Sequence, residues 1–371
     1  MARQEDAIPA PRDYRNIWVL NTANPIKGLT WWWWWWIFFI RDPDNDRRTK
    51  QLMILWSTKY TDHVRVMDHD WSCSNPPVWN GDTLEFNGMT ASWWYDGKRM
   101  EDTQVLVESD FRVERRGGSG ELRPLLEADY GFSGSPKEYR VNIVDDRNDF
   151  RFTMRPWNDY MSRQRFNESH YTRKYSYNIM KIYGMRLGGT VNGDPVEGSA
   201  YFQRVTVNAP APPWYWGVLH FEDGSYLDYF QPYVGPQIFR TTDSARSMLD
   251  WGDIRLNRSI QFYSAERDRE YRFRTRECSI RHGAGPDGLP VFDVRGRGAD
   301  GEIHLRWSAY SRAYWRFQQR RRLGFSSILY YNEYPAEVNE FSFRGSDGTV
   351  VKGGDLGWMT GNMEHSWGKL I

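Results

Sequence analysis

The stretch Leu29 to Ile40 reads LTWWWWWWIFFI, six consecutive tryptophans (Trp31 to Trp36) running into Ile37, Phe38, Phe39 and Ile40. Aromatic and β-branched side chains suit the pleated surface of a sheet, so the stretch is expected to be a strand. Alternation then puts Trp31, Trp33 and Trp35 on one face and Trp32, Trp34 and Trp36 on the other. Both faces must be covered, by core, by loops, by a second barrel or by a ligand. The stretch is roughly half as long as a membrane-spanning helix, and the charged run Arg41 to Lys50 follows it, so no transmembrane segment is expected.

Turn chemistry extends the β reading to the rest of the chain. Asn-Gly pairs begin at Asn80, Asn87 and Asn192, and Asp-Gly pairs at Asp96, Asp223, Asp287, Asp300 and Asp347, each suited to a tight hairpin turn. Between them lie short runs with strand character, among them Gln51 to Lys59, Thr103 to Val113, Glu138 to Val144, Ser199 to Asn208, Tyr215 to Phe221, Phe325 to Tyr331 and Glu340 to Phe343. Helical signals are few: Asp243 caps a candidate helix through Trp251, and Ser311 to Arg322 reads as a basic helix or a charged-edge strand. The expected architecture is all-β, with two lipocalin-like antiparallel β-barrels packed together and few short helices. The proline and glycine segment QPYVGPQ at 231–237 is the expected join. It divides an enlarged, Trp-rich barrel (1–235) from a smaller one (236–371).

Composition agrees with a folded protein of about two domains in 371 residues. The 20 Trp, 22 Tyr and 19 Phe make the apolar material unusually aromatic beside a mean hydropathy of -0.76. The 49 Lys and Arg balance 48 Asp and Glu, so no global field gathers nucleic acid, and no nucleic-acid partner is expected. Cys73 and Cys278 lie far apart without metal-ligand spacing and read as buried free thiols; the scattered histidines make no zinc pattern. No metal or other cofactor is expected. The mixed-charge start MARQEDAIPAPRDYR lacks the apolar run of a signal peptide, so the expected location is cytoplasmic.

Three aromatic and polar groupings are candidates for chemistry. The tryptophan strand is either core on both faces or, through Trp31, Trp33 and Trp35, the wall of a ligand cavity whose indole faces stabilise a cation or stack on a flat ligand. Trp214 and Trp216 share a face after the proline-rich segment 209–213, and Tyr226 and Asp228 share one further on. In the last segment, Glu364 and His365 alternate faces, so one of them points inward; Asn332 and Glu333 place a second polar pair within an aromatic strand.

At these residues the chain resembles the two-barrel, lipocalin-like proteins that include carotenoid 1,2-hydratase, the AttH-type proteins and the fungal Diels–Alderases. The family's opening E-W-W-Y strand resembles Trp31 to Trp36. Its G-x-G-Y-H-D-H-x-W-G, then W-x-W-G and a D-G turn, resemble Gly198 to Val205, Trp214 to Gly217 and Asp223-Gly224. Its final G-x-x-E-H-x-W-G resembles Gly361 to Gly368. The family's Asp and His fall on Gln203 and Arg204 here, and Asp228, downstream of W-x-W-G, is the replacement acid that the spacing offers.

The resemblance implies a cavity in or between the barrels, a hydrophobic isoprenoid or polyene substrate and no redox cofactor. The expected activity is a cofactor-independent hydratase or cyclase, of lyase or isomerase class, acting in an aromatic-lined barrel cavity. Asp228 or Glu364 supplies the proton, Arg204, Gln203, Tyr226 and His365 orient or polarise the substrate, and Trp31, Trp33, Trp35, Trp214, Trp216 and Glu333 contact it. A non-catalytic carrier of a lipid or pigment is the alternative, and sugar stacking on exposed tryptophans a third class. Peripheral contact with a membrane is an open route for collecting substrate, and the oligomeric state is undetermined by sequence.

Overall fold

The structure, a computed structural model, describes residues 16–170, 172–209, 213–234, 254–320 and 326–369. The candidate helix from Asp243 to Trp251 lies outside them, as do Arg321 and Arg322. The first strands in chain order are β1 (Thr30–Asp42), β2 (Asn45–Lys59), β3 (Thr61–Val66), β4 (His69–Cys73), β5 (Val78–Asn80), β6 (Thr83–Tyr95) and β7 (Met100–Arg116). After them come β8 (Ser119–Pro124), β9 (Phe132–Ser135), β10 (Glu138–Val144), β11 (Asp149–Pro156), β12 (Arg165–His170), β13 (Ser176–Val191) and β14 (Asp194–Asn208). One short helix, α1 (Asp159–Ser162), starts where the Asn158 side chain accepts the Met161 N–H.

Ten of these strands run antiparallel in the order β11-β10-β9-β8-β7-β6-β2-β1-β14-β13, and pairing of β11 with β13 closes the ring. The barrel interior is solid. Trp32, Trp34, Trp36 and Phe38 point into it and pack against Phe132, Tyr139, Phe152 and Phe202. The segment Ile17–Leu20, fully buried, completes the filling: Trp18 stacks on Phe132 at 4.4 Å, and the Trp34 indole N–H donates to the Ile17 carbonyl at 2.7 Å.

The second half contains β15 (Trp214–Phe221), β16 (Tyr226–Val234), β17 (Ile254–Arg255), β18 (Ser259–Ser264), β19 (Arg269–Arg274) and β20 (Cys278–Ala284). It continues with β21 (Pro290–Gly298), β22 (Gly301–Ala309), β23 (Ala313–Arg320), β24 (Ser326–Gly345), β25 (Val350–Lys352) and β26 (Met359–Lys369). The main path is β19-β18-β16-β15-β26-β24-β22-β21-β20. This sheet curls round its own core, in which Phe262, Phe273, Phe292, Leu305, Trp307 and Phe343 are buried. Across that core Phe273 of the edge strand β19 lies against Gly296 of β21, the neighbour of the other edge strand; a Cβ there would come within 2.6 Å of the ring.

The fold is therefore all-β: one closed barrel and a second large curled sheet. The chain changes sheet between Asn208 and Trp214, so β15 and β16 already belong to the second sheet, and residues 231–234 of the expected join are the end of β16 while 235–237 lie outside the described residues. Within the run Ser311 to Arg322, Ala313–Arg320 is strand, β23, and the described part of the run Phe325 to Tyr331 and the run Glu340 to Phe343 are two parts of the single strand β24. Seven of the eight Asn-Gly and Asp-Gly glycines have positive φ. The eighth, Gly88, lies inside β6, where a Cβ would stand 2.6 Å from the Ser57 carbonyl oxygen. Cys73 and Cys278 are free and buried.

The two sheets are held together by a third apolar core, built from their outer faces. Trp35, Ile37, Phe39, Met53 and Trp93 of the barrel meet Trp216, Val218, Tyr226, Trp315 and Leu329 of the second sheet. A ribbon, β3 with β4, leaves the barrel and pairs with β23 through Val66↔Phe317 and Arg65↔Gln318. The tryptophan strand thus supplies two cores at once. Emptying the barrel face by Trp34→Ala is expected to cost about 3–5 kcal/mol. Trp33→Ala, on the other face beside open space, should cost less than half of that in urea denaturation; equal losses would contradict the two-faced reading.

Candidate functional site

Between the sheets lies a cavity of about 910 Å³. From the barrel it is lined by Trp31, Trp33 and Trp35, with Leu55, Lys59, Lys181, Tyr183 and Gln203 beside them, and from the second sheet by Trp214, Trp216, Phe230, Tyr331, Trp315 and Glu364. Alternation produces this grouping. Gln203 is register partner to Trp35, and Lys181 to Gln203, so all three present the same outer face. Trp31 and Trp33 are half-buried because their rings border the cavity, whereas Trp32 and Trp34 are fully buried. Of the two places the sequence left open, in a barrel or between the two, the site is between the sheets; the interior of the first barrel is filled.

Glu364 is a buried carboxyl in the cavity wall. Its Oε2 accepts the Trp214 indole N–H at 2.6 Å, and its Oε1 lies 2.5 Å from the Tyr331 hydroxyl. Burial pushes its carboxyl up to about 7, against the opposing pull of those two hydrogen bonds and of Lys181. Glu333 is its direct register partner across β24 and β26, and Tyr331, two residues from Glu333, shares that face. The Tyr331 hydroxyl also lies 2.5 Å from Glu333 Oε1, and the Trp35 indole N–H donates to the same oxygen at 3.3 Å. Complete burial, and then the nearby Glu364 charge, hold the Glu333 carboxyl well above the usual range. Glu333 is thus not at the cavity surface, as the sequence suggested, but directly behind the Tyr331 and Trp35 wall.

The other anticipated residues divide by strand parity. Asp228 and Tyr226 share the inter-sheet face, as the spacing predicts. Asp228, however, is held in an ion pair with Lys181, Nζ to Oδ2 2.7 Å, between the sheets, and that pairing rather than ligand contact is its visible role. Tyr226 stacks on Tyr183 at 4.4 Å and bonds to Gln261. Arg204 stands opposite Trp34 in the register and so points into the barrel core, where its guanidinium donates to Asn178 Oδ1 at 2.7 Å. His365, next to Glu364, points the other way, into the second sheet's core, against the Tyr233 hydroxyl at 2.9 Å. The period of two separates both Arg204 and His365 from the cavity. Tyr331, Lys181 and Lys59 were not anticipated; the Lys59 ammonium sits 4.3 Å from the centroid of the Trp31 ring. No described tryptophan is exposed, so sugar stacking on exposed indoles has no platform among the described residues.

Fold and site together define a two-sheet β-protein with a tryptophan-walled cavity and one buried carboxyl facing into it. No protein-family model matches the chain, and no curated protein matches it. Among solved structures the chain is similar to a candidate AttH protein of Nitrosomonas europaea, 11% identical over 93% of this chain and 96% of that one, with a TM-score of 0.43. Among the described residues no helix is long and apolar enough to cross a membrane.

The raised carboxyl makes a signed prediction. A group ordinarily at 4.5 and held at about 7 in the fold is stabilised when protonated, so its contribution is full below its ordinary value and is lost as pH rises through this interval. Glu364→Gln removes that loss. Relative to wild type, the variant should gain about 3 kcal/mol in denaturant-measured stability on going from acid to pH 8. A difference independent of pH would show that Glu364 titrates in the fold as it does in the unfolded chain.

Proposed function

We propose that the cavity binds a hydrophobic small molecule of isoprenoid or polyene class and that Glu364 protonates it, making the protein a cofactor-independent hydratase or cyclase. The observation that carries this reading is a carboxyl poised near neutrality on the surface of an indole-walled cavity. About 910 Å³ is at the upper end of the range for small-molecule sites and suits an extended or folded terpenoid chain. An acid with a raised pKa is matched to proton donation near pH 7. Adding a proton to an alkene leaves a carbocation, and Trp31, Trp33 and Trp35 present π faces to it. Trp31 already faces the Lys59 ammonium, so its ring is placed to meet positive charge. After the transfer, Glu364 is a carboxylate held by Trp214 and Tyr331. It then accepts a proton either from attacking water, giving a hydrated product, or from a carbon beside the cation, giving a cyclised alkene.

The motif resemblance at Trp31 to Trp36, Trp214 to Gly217 and Gly361 to Gly368 supports the polyene class, and a cytoplasmic protein collecting its substrate at a membrane surface belongs to the same reading. A carrier role is the second reading. It is favoured by the ion pair of Asp228 with Lys181, which ties up the acid that the motif spacing offers.

Incubation with geranylgeranyl-type polyenes, followed by mass spectrometry, tests the proposal. Glu364→Gln should reduce product at least ~100-fold while ligand-induced quenching of tryptophan fluorescence persists. Trp33→Ala should weaken that quenching titration. Tight binding with no product from either protein would establish the carrier.

A further inference from the structure

One hydroxyl proton cannot serve two short hydrogen bonds to two carboxylates. Tyr331 lies 2.5 Å from Glu333 Oε1 and 2.5 Å from Glu364 Oε1, and as donor it satisfies one of them. The other contact requires a carboxylic acid O–H donating to the tyrosine oxygen. Two glutamates directly opposed in register would otherwise place like charges face to face in a buried strand pair. The geometry therefore points to a proton held jointly along Glu333, Tyr331 and Glu364.

We propose that Glu333 is the proton store for Glu364, restoring through Tyr331, from behind the cavity wall, the proton that Glu364 loses to solvent between turnovers. This rests on the reading of Glu364 as the acid. The step balances without a further reactant: the Glu333 O–H bond breaks as its proton goes to the Tyr331 oxygen, while the Tyr331 O–H breaks as its proton goes to the Glu364 carboxylate. The net change is a proton moved from a glutamate that no ligand reaches to one that borders the cavity. Glu333 has no solvent exposure, and its second oxygen has no hydrogen-bond partner, the Trp93 indole facing it without reaching bonding geometry. It therefore exchanges its proton through Tyr331. The other titratable groups in electrostatic contact with Glu364 are Lys181 of β13, Tyr201 of β14 and Tyr229 of β16; Lys181 is bonded to Asp228 of β16. Glu333 acts through its neighbours, so it is a positioning residue rather than a catalytic one.

Infrared difference spectra of the full chain carrying ¹³C-carboxyl glutamate read this directly. Wild type should retain one neutral glutamic acid at about pH 9, after Glu364 has given up the first proton of the pair. Glu333→Gln should retain none. Tyr331→Phe should retain it with the carbonyl band moved to the frequency of an acid without a strong hydrogen bond. In turnover, Glu333→Gln should lose activity about tenfold per pH unit above the Glu364 midpoint, where wild type levels off. Loss of every neutral carboxyl in wild type at that pH, or a band unmoved by Tyr331→Phe, overturns the store. Should Glu333→Gln fail to fold by circular dichroism, Tyr331→Phe decides alone. Failure of the acid reading looks different: the bands behave as stated while Glu364→Gln keeps full turnover.

Discussion

A strand of six tryptophans cannot have a solvent face, and this requirement organises the molecule. Trp32, Trp34 and Trp36 are covered by closing a ten-stranded barrel over them, with Trp18 and Phe132 filling the middle. That leaves Trp31, Trp33 and Trp35 on the outside of the barrel, where a second sheet must come up to meet them. The second sheet meets Trp35 through Trp216 at 5.6 Å and Trp31 through Phe317 at 5.1 Å, and leaves open space beside these rings and Trp33. The cavity is the space left over between these contacts, where two curved outer surfaces do not match. Indole burial supplies the adhesion, and incomplete burial supplies the binding site.

The same inter-sheet setting governs the electrostatics. Lys181 and Asp228 come from opposite sheets and meet as an ion pair, which removes two charges from the cavity wall. Glu333 and Glu364 come from adjacent strands of one sheet and are opposed in register with no cation in bonding contact; in a buried site that arrangement favours protonation over ionisation. A protein interior that pairs one carboxylate and leaves another pair to hold protons separates structural from reactive acids by their partners.

How much of this is legible in the sequence follows from what periodicity encodes. Asn-Gly and Asp-Gly pairs mark the turns because their conformational needs are local, and the all-β class follows from them. Strand parity correctly divides Trp31, Trp33 and Trp35 from their neighbours and Glu364 from His365. It does not say which face is inside a barrel and which lies between sheets, because both faces are apolar. Arg204 and Gln203 are adjacent in sequence but fall on opposite faces, so a motif alignment naming both cannot place both at one site. Tyr331 carries no signal of its own in LYYNEYP; its importance arises when β24 and β26 align Glu333 with Glu364, a pairing between segments about thirty residues apart. The role of Ile17–Leu20 in filling the barrel is likewise a long-range contact that its four residues do not announce.

The central claim is that ligand is held between the two sheets and not inside the barrel. A crystal structure of the protein grown with a conjugated polyene tests this most directly. The account predicts polyene density along Trp31 and Trp33, with a carbon of the chain near the Glu364 carboxyl and the Trp32, Trp34 and Trp36 rings unmoved. Density within the barrel, displacing Trp18 or Trp34, or on the outside of the second sheet away from Trp214, would contradict it.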